Sequence, residues 1–281
     1  MRNCALKIKC VEQRAPLFII MLLSCPMILK LFCWAALCLT LLLPEICSAN
    51  LALSEYRLYF DGRTKNNSLL IRNTSNKNLD FKLVVTHKDM TEEGALIDVT
   101  PQQVEGRSAK NMLRFSPRRG TIAPKGMQAI RMTVRKKAEL AVGEYRAVLK
   151  IIASESQNPD IDGISIRPKV AYSVPVIVRH GQLEADSELI NPQLITQNGR
   201  PTLTFWQTLT GNRSVYGNFE LVDENNVMIG EIANVAVYTP LSRRKVYITL
   251  QAPVTGPVTL NYKENELYGG KIELAIPINI K

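Results

Sequence analysis

Residues 164–178 read ISIRPKVAYSVPVIV, and every even-numbered position is apolar: Ile164, Ile166, Pro168, Val170, Tyr172, Val174, Val176 and Val178. Alternation with a period of two places those side chains on one face of an extended chain. Fifteen residues at ~3.3 Å each reach about 50 Å. A strand in a globular domain usually has about 5–6 residues, so one small domain covers part of this face and leaves the rest exposed. Pro168 and Pro175 cannot donate to a ladder and point to an edge position. An exposed apolar edge invites another strand, and the stretch reads as an edge that binds other proteins.

The sequence before this stretch repeats the same period. Tyr56, Leu58 and Phe60 alternate before the turn pair Asp61-Gly62, and Leu79, Phe81, Leu83 and Val85 alternate after the polar turn 74–78. Ser68–Arg72 is a short apolar run between them. Ile130, Met132 and Val134 follow the turn Pro124-Lys125-Gly126, and Tyr145, Ala147, Leu149 and Ile151 give the next strand. Six or more strands separated by turn signals, without helical periodicity, predict an antiparallel sandwich. After Arg179-His180-Gly181 the strands shorten: Leu203 and Phe205, Phe219 and Leu221, then Val246, Ile248 and Leu250. Ile272 to Ile280 alternates again and is expected to close a second sandwich. The fold class is therefore all-β, with domains over 50–179 and 182–281.

Residues 31–43, LFCWAALCLTLLL, have the length of a signal-peptide core and are followed by Cys47-Ser48-Ala49. Residues 1–49 are expected to be a secretory signal cleaved after Ala49. Read from Met27 the segment is a complete signal; read from Met1 it also fits an uncleaved anchor. All six cysteines lie in the first 47 residues, so no disulfide, thiol or cysteine–metal chemistry is available to the rest. The formal charge is +10. Its basic residues are spread over strands and turns with no aromatic-interleaved block, which argues against nucleic-acid binding. No Gly-rich phosphate loop, H-E-x-x-H or G-x-S-x-G occurs, so the expectation is a non-enzyme with no cofactor and no metal.

Arg57 stands between Tyr56 and Leu58, on the face opposite the apolar one. A cation there suits a carboxylate; the plain alternative is an exposed strand arginine.

Taken in order, the leader, SEYRLYFDGRTKNNSLLIRNTSN (54–76), LRFSPRRGTIAPKGMQAIRMTVRK (113–136), and GEYRAVLKI (143–151) followed by the long alternating strand resemble the periplasmic chaperones of chaperone–usher pilus assembly, the PapD-like family, as a divergent member. The resemblance covers nearly all of the chain after the leader. It implies two immunoglobulin-like β-sandwich domains in a boomerang arrangement and a periplasmic location. It implies donor-strand complementation of pilin-like subunits and their delivery to an outer-membrane usher, with membrane contact only through the signal segment. It also implies that Ile164, Ile166, Val170, Tyr172 and Val174 form the subunit-binding strand and that Arg57 anchors the subunit's terminal carboxylate. The family's second anchoring base, a lysine four residues before the domain-ending arginine, falls here on Pro175; Lys169 is the candidate substitute, with Arg146 and Arg179 as other possible partners. Glu144-Tyr145-Arg146 replaces the usual Arg-Glu-Ser. The rival reading is a secreted two-domain immunoglobulin-like structural or adhesive protein that pairs with its own kind through the exposed edge.

Overall fold

The computed structural model describes residues 51–100, 106–156 and 169–280. The leader, Ile164, Ile166 and Pro168 lie outside the described residues. Residues 49–281 form one compact unit, in which two separate apolar cores are found, one built from 51–178 and one from 189–278.

The described residues up to His180 form eleven strands: β1 (Leu51–Leu53), β2 (Leu58–Phe60), β3 (Asn66–Asn73), β4 (Leu79–Thr86), β5 (Lys88–Met90), β6 (Leu96–Asp98), β7 (Leu113–Ser116), β8 (Arg119–Ile122), β9 (Met127–Val134), β10 (Gly143–Glu155) and β11 (Val170–His180). One sheet has the order β1-β3-β9-β7 and the other β2-β11-β10-β4-β8, while β5 and β6 form a separate hairpin. If β1 and β2 are counted as two halves of a first strand, the partition is that of a constant-type immunoglobulin sandwich with β8 added beside β4. The alternating residues of β4, β9 and β10 supply the core: Phe81, Ile130, Met132, Leu149 and Ile151 are all buried.

The first strand changes sheets. β1 pairs antiparallel with β3, and β2 pairs parallel with β11 through Val176↔Leu58, Ile177↔Tyr59 and Val178↔Phe60. The crossing occupies residues 54–57, so the pattern of Tyr56, Leu58 and Phe60 is not one strand. Leu58 and Phe60 are buried, whereas Tyr56 is 67 % exposed, because the chain is still between the sheets at that point.

β11 pairs with β10 from Gly143↔His180 to Ala153↔Val170. On its other side β2 covers only Val176–Val178. Among the described residues, Val170–Pro175 therefore has a free outer edge, and Pro175 sits where a missing N–H does no harm. Val176 and Val178 fill the core. Tyr172 is half-buried at its rim and donates its hydroxyl to Leu51 O at 3.2 Å, and Val170 is 43 % exposed. Val174 corrects the expectation that it belongs to the part of the strand presented to another chain: at 1 % exposure it is sealed in its own sandwich.

A buried asparagine ties the turn between β3 and β4 to the sandwich. Asn73 Nδ2 lies within donating distance of Lys77 O, Ile122 O and Ala123 O, and its Oδ1 accepts from Ser75 N and Oγ. Asn73→Ala is expected to cost about 2 kcal/mol, since it leaves buried carbonyls without donors; urea unfolding measures it.

The second sandwich consists of β12 (Ala185–Asp186), β13 (Leu189–Gln197), β14 (Arg200–Thr208), β15 (Thr210–Gly211), β16 (Val215–Asp223), β17 (Met228–Val237), β18 (Arg243–Thr249), β19 (Gly256–Glu264) and β20 (Glu273–Ile280). Its sheets are β13-β14-β18 and β17-β16-β19-β20, with β12-β15 as a small addition. Phe205 and Phe219 meet edge-on with centroids 5.0 Å apart between them. β20 pairs only with β19, so it ends its sheet as an edge strand, with Leu274, Ile276 and Ile278 packed against the core. Trp206 is half-buried, with the Arg243 guanidinium 4.4 Å from its ring centroid.

Candidate carboxylate-binding cleft beside the β11 edge

The sheet crossing that ends at Leu58 places Arg57 where the two sandwiches meet. The second sandwich and the turn after β19 surround it with three tyrosines. The Arg57 guanidinium lies 3.7 Å from the Tyr216 ring centroid, 5.4 Å from that of Tyr238 and 5.6 Å from that of Tyr268, and Nη2 donates to Tyr238 Oη at 2.7 Å. Arg57 is 6 % exposed. It is therefore not the exposed strand arginine that its spacing allowed: aromatic faces hold the cation while most of its N–H groups stay unused.

Strand β10 turns its odd positions to the core and Glu144 and Arg146 to the junction. The Glu144 carboxylate accepts from Arg179 Nε at 3.1 Å, from Ser214 N at 3.1 Å and from Ser214 Oγ. Arg179 also donates to Tyr268 O at 2.9 Å, Tyr59 Oη at 3.2 Å and Ser214 O at 3.2 Å. Arg213 holds Glu264 with both terminal nitrogens. Arg146 Nη2 donates to Thr239 O at 2.8 Å and lies 3.6 Å from Asp89. Burial pushes the Arg146 guanidinium below its usual value, opposed by Glu144, and burial pushes the Tyr238 hydroxyl up. Arginine keeps its charge in proteins, so the junction is a desolvated cluster of cations answered by few carboxylates.

Beside it opens a cleft of about 890 Å³, lined among others by Arg57, Tyr59, Pro175, Tyr268, Leu96 and Arg244. Pro175, where the resemblance looks for a lysine, lines the same cleft as Arg57 but supplies no base. Lys169 does not substitute for it: six residues before Pro175 along an extended chain is roughly 20 Å, and it does not line the cleft. Arg179 is committed to Glu144 and Arg146 to Thr239 and Asp89, so neither is the free second base.

The hairpin β5–β6 forms one wall. Met90 and Leu96 pack with Ile177, Ala236 and Tyr238, and Glu92 O accepts from Lys245 N at 2.7 Å while its carboxylate pairs with exposed Arg243. Glu92 therefore joins the hairpin to the second sandwich. Spacing alone missed Arg244 and the tyrosines, whose neighbours are far away in sequence. One signal was present: Val176-Ile177-Val178 breaks the alternation, and the extra apolar residue is the one that faces this junction.

No protein-family model matches the chain, and no curated protein does. The chain is similar to solved chaperones of pilus assembly. The Salmonella enterica SafB chaperone, solved with the SafA pilin, is 11% identical, with a TM-score of 0.46 over 82% of this chain and 97% of that one. The CupB2 chaperone of Pseudomonas aeruginosa is 14% identical, with a TM-score of 0.43 over 82% of this chain and 100% of that one. The CsuC–CsuE chaperone–adhesion subunit complex of Acinetobacter baumannii gives 12% identity and a TM-score of 0.44 over 83% of this chain and 100% of that one.

Proposed function

We propose that this chain is an exported, non-enzymatic chaperone that takes up the last strand of an incomplete pilin-like subunit along the free edge of β11 and hands that subunit to an outer-membrane usher. One observation carries the reading: the free edge Val170–Pro175 runs directly into the cleft that holds Arg57. β2 already lies parallel to β11 on the same edge, starting at Leu58. A guest strand parallel to β11 fills the vacant length upstream of β2, and its C-terminus meets Arg57, the residue just before Leu58. Backbone ladder bonds supply affinity, and the exposed side chain of Val170 and the half-buried Tyr172, together with Ile164 and Ile166 upstream in the sequence, are proposed to supply the missing side chains of the guest. The leader fits delivery to the periplasm.

The test is affinity isolation of the tagged chain from its native periplasm, wild type against Arg57→Ala. The expected result is a one-to-one complex with a protein that ends in an alternating apolar segment, weakened about a hundredfold by loss of a charge-assisted anchor. Arg57→Ala also removes the stacking on Tyr216 and the bond to Tyr238, so its own stability falls by about 1–3 kcal/mol; Arg57→Lys, which keeps the charge, separates the two effects. Recovery only as self-paired oligomers contradicts the proposal and favours a self-pairing adhesive protein, and undiminished capture by the folded variant removes Arg57 from the site.

A further inference from the structure

Five buried or half-buried arginines meet at the junction, and three are answered: Arg179 by Glu144, Arg213 by Glu264 and Arg146 by Asp89. Among the described residues, Arg57 and Arg244 have no ion-pair partner, and both line the same cleft. They come from different sandwiches, Arg57 from the crossing before β2 and Arg244 from β18.

Arg244 is held but not satisfied. Its Nη1 donates to Ala236 O at 2.7 Å, while its Nε is buried with no hydrogen-bond partner. Gly94, at the tip of the β5–β6 hairpin with φ +86°, makes the space: a Cβ there would stand 2.3 Å from Nε and 2.4 Å from Nη2. Burial pushes the guanidinium below its usual value, with Tyr238 opposing. A permanently charged group that has lost part of its water and found no anion is stabilised by one that arrives from outside. Glu55, the one acidic residue lining the cleft among the described residues, is exposed at its mouth and solvent-screened.

We propose that Arg244 is the second cation of the carboxylate site, so that the terminal carboxylate of a guest strand is gripped between Arg57 of the first sandwich and Arg244 of the second, with Gly94 keeping the guanidinium in place. The inference rests on the chaperone reading above and adds to it that capture draws on both sandwiches. It also accounts for Pro175: a base on β11 is dispensable when the second sandwich brings one across the cleft.

The test uses an acetylated eight-residue peptide that alternates valine with threonine and ends in phenylalanine, made once with a free carboxylate and once as the terminal amide. Calorimetric affinities are compared for the wild type, Arg57→Gln, Arg244→Gln and Gly94→Ala. The wild type is expected to prefer the acid by more than about tenfold, the scale of hydrogen bonds to charged groups. Arg244→Gln is expected to cut that preference severalfold or more, and Gly94→Ala to do the same by displacing an intact arginine. A purely structural Arg244 would change both affinities alike and leave their ratio untouched. Should Arg244→Gln fail to fold, the ratio in Gly94→Ala decides. A full preference retained in Arg244→Gln or Gly94→Ala, with the preference lost in Arg57→Gln, overturns the role of Arg244 and leaves the chaperone reading standing. No preference in the wild type removes the carboxylate anchor, and both proposals with it.

Discussion

Aspartate at position 174 is expected to prevent the first sandwich from folding, whereas aspartate at position 170 is expected to leave a folded chain that no longer holds a guest strand. Both residues lie on the same face of β11, four positions apart. Val174 is 1 % exposed and packs into the core formed by both sheets, while Val170 is 43 % exposed at the open end of the strand. A carboxylate forced into an apolar core without a partner costs several kcal/mol even after it takes up a proton, which is comparable to the whole stability of a domain, about 5–15 kcal/mol. At Val170 the same group stays in water, and its cost falls only on the complex, where the guest's apolar groove would bury it. Circular dichroism and capture assays on the pair separate the sealed part of the strand from the part that is lent. A folded Val174→Asp chain would show that the core does not close there, and undiminished capture by Val170→Asp would move the guest off this edge.

Glu144→Gln is expected to destabilise the chain by about 3–5 kcal/mol, the scale for breaking a buried ion pair from one side. The Glu144 side chain is fully buried and accepts from Arg179 and from both the amide and hydroxyl of Ser214. The amide replacement keeps the shape but leaves the Arg179 charge facing only neutral acceptors. Because Arg179 lies near the end of the first sandwich and Ser214 just before β16 in the second, the loss should also reduce the coupling between them: urea unfolding of the variant is expected to be weaker and broader. Arg179→Ala combined with Glu144→Gln should cost less than the sum of the two single changes, since the pair acts as a unit. By contrast, Arg243→Ala, which breaks an exposed pair with Glu92, should cost less than about 1 kcal/mol.

Much of the fold was legible in the sequence because its strands obey a period of two with one wet face. Leu79 to Val85, Ile130 to Val134 and Tyr145 to Ile151 alternate as the structure places them, with the apolar set turned inward. Alternation failed where the chain serves more than one surface. Tyr56 continues the pattern of Leu58 and Phe60 but precedes the strand, since spacing cannot show that the backbone is crossing from sheet to sheet. The environment of Arg57 was not legible for a different reason: its aromatic box comes from Tyr216, Tyr238 and Tyr268, more than 150 residues away, and only the docking of the second sandwich brings them over the guanidinium. Pro175 and Arg57 line the same cleft because β2 pairs with β11 in parallel just beyond them, a register that the sequence of one strand does not show. Nor does it show Arg244, which reaches the cleft from β18 through the space left by Gly94.

The central claim is that the vacant edge of β11 is the site of guest-strand pairing, and amide hydrogen exchange on the chain, free and in complex with its captured subunit, tests it most directly. The account predicts that the amides within Val170–Val174 that point away from β10 exchange rapidly in the free protein and slow by at least about tenfold in the complex, as open-edge groups enter a ladder. Unchanged exchange there in a stable complex, with protection appearing instead along another sheet edge such as β20, would contradict it.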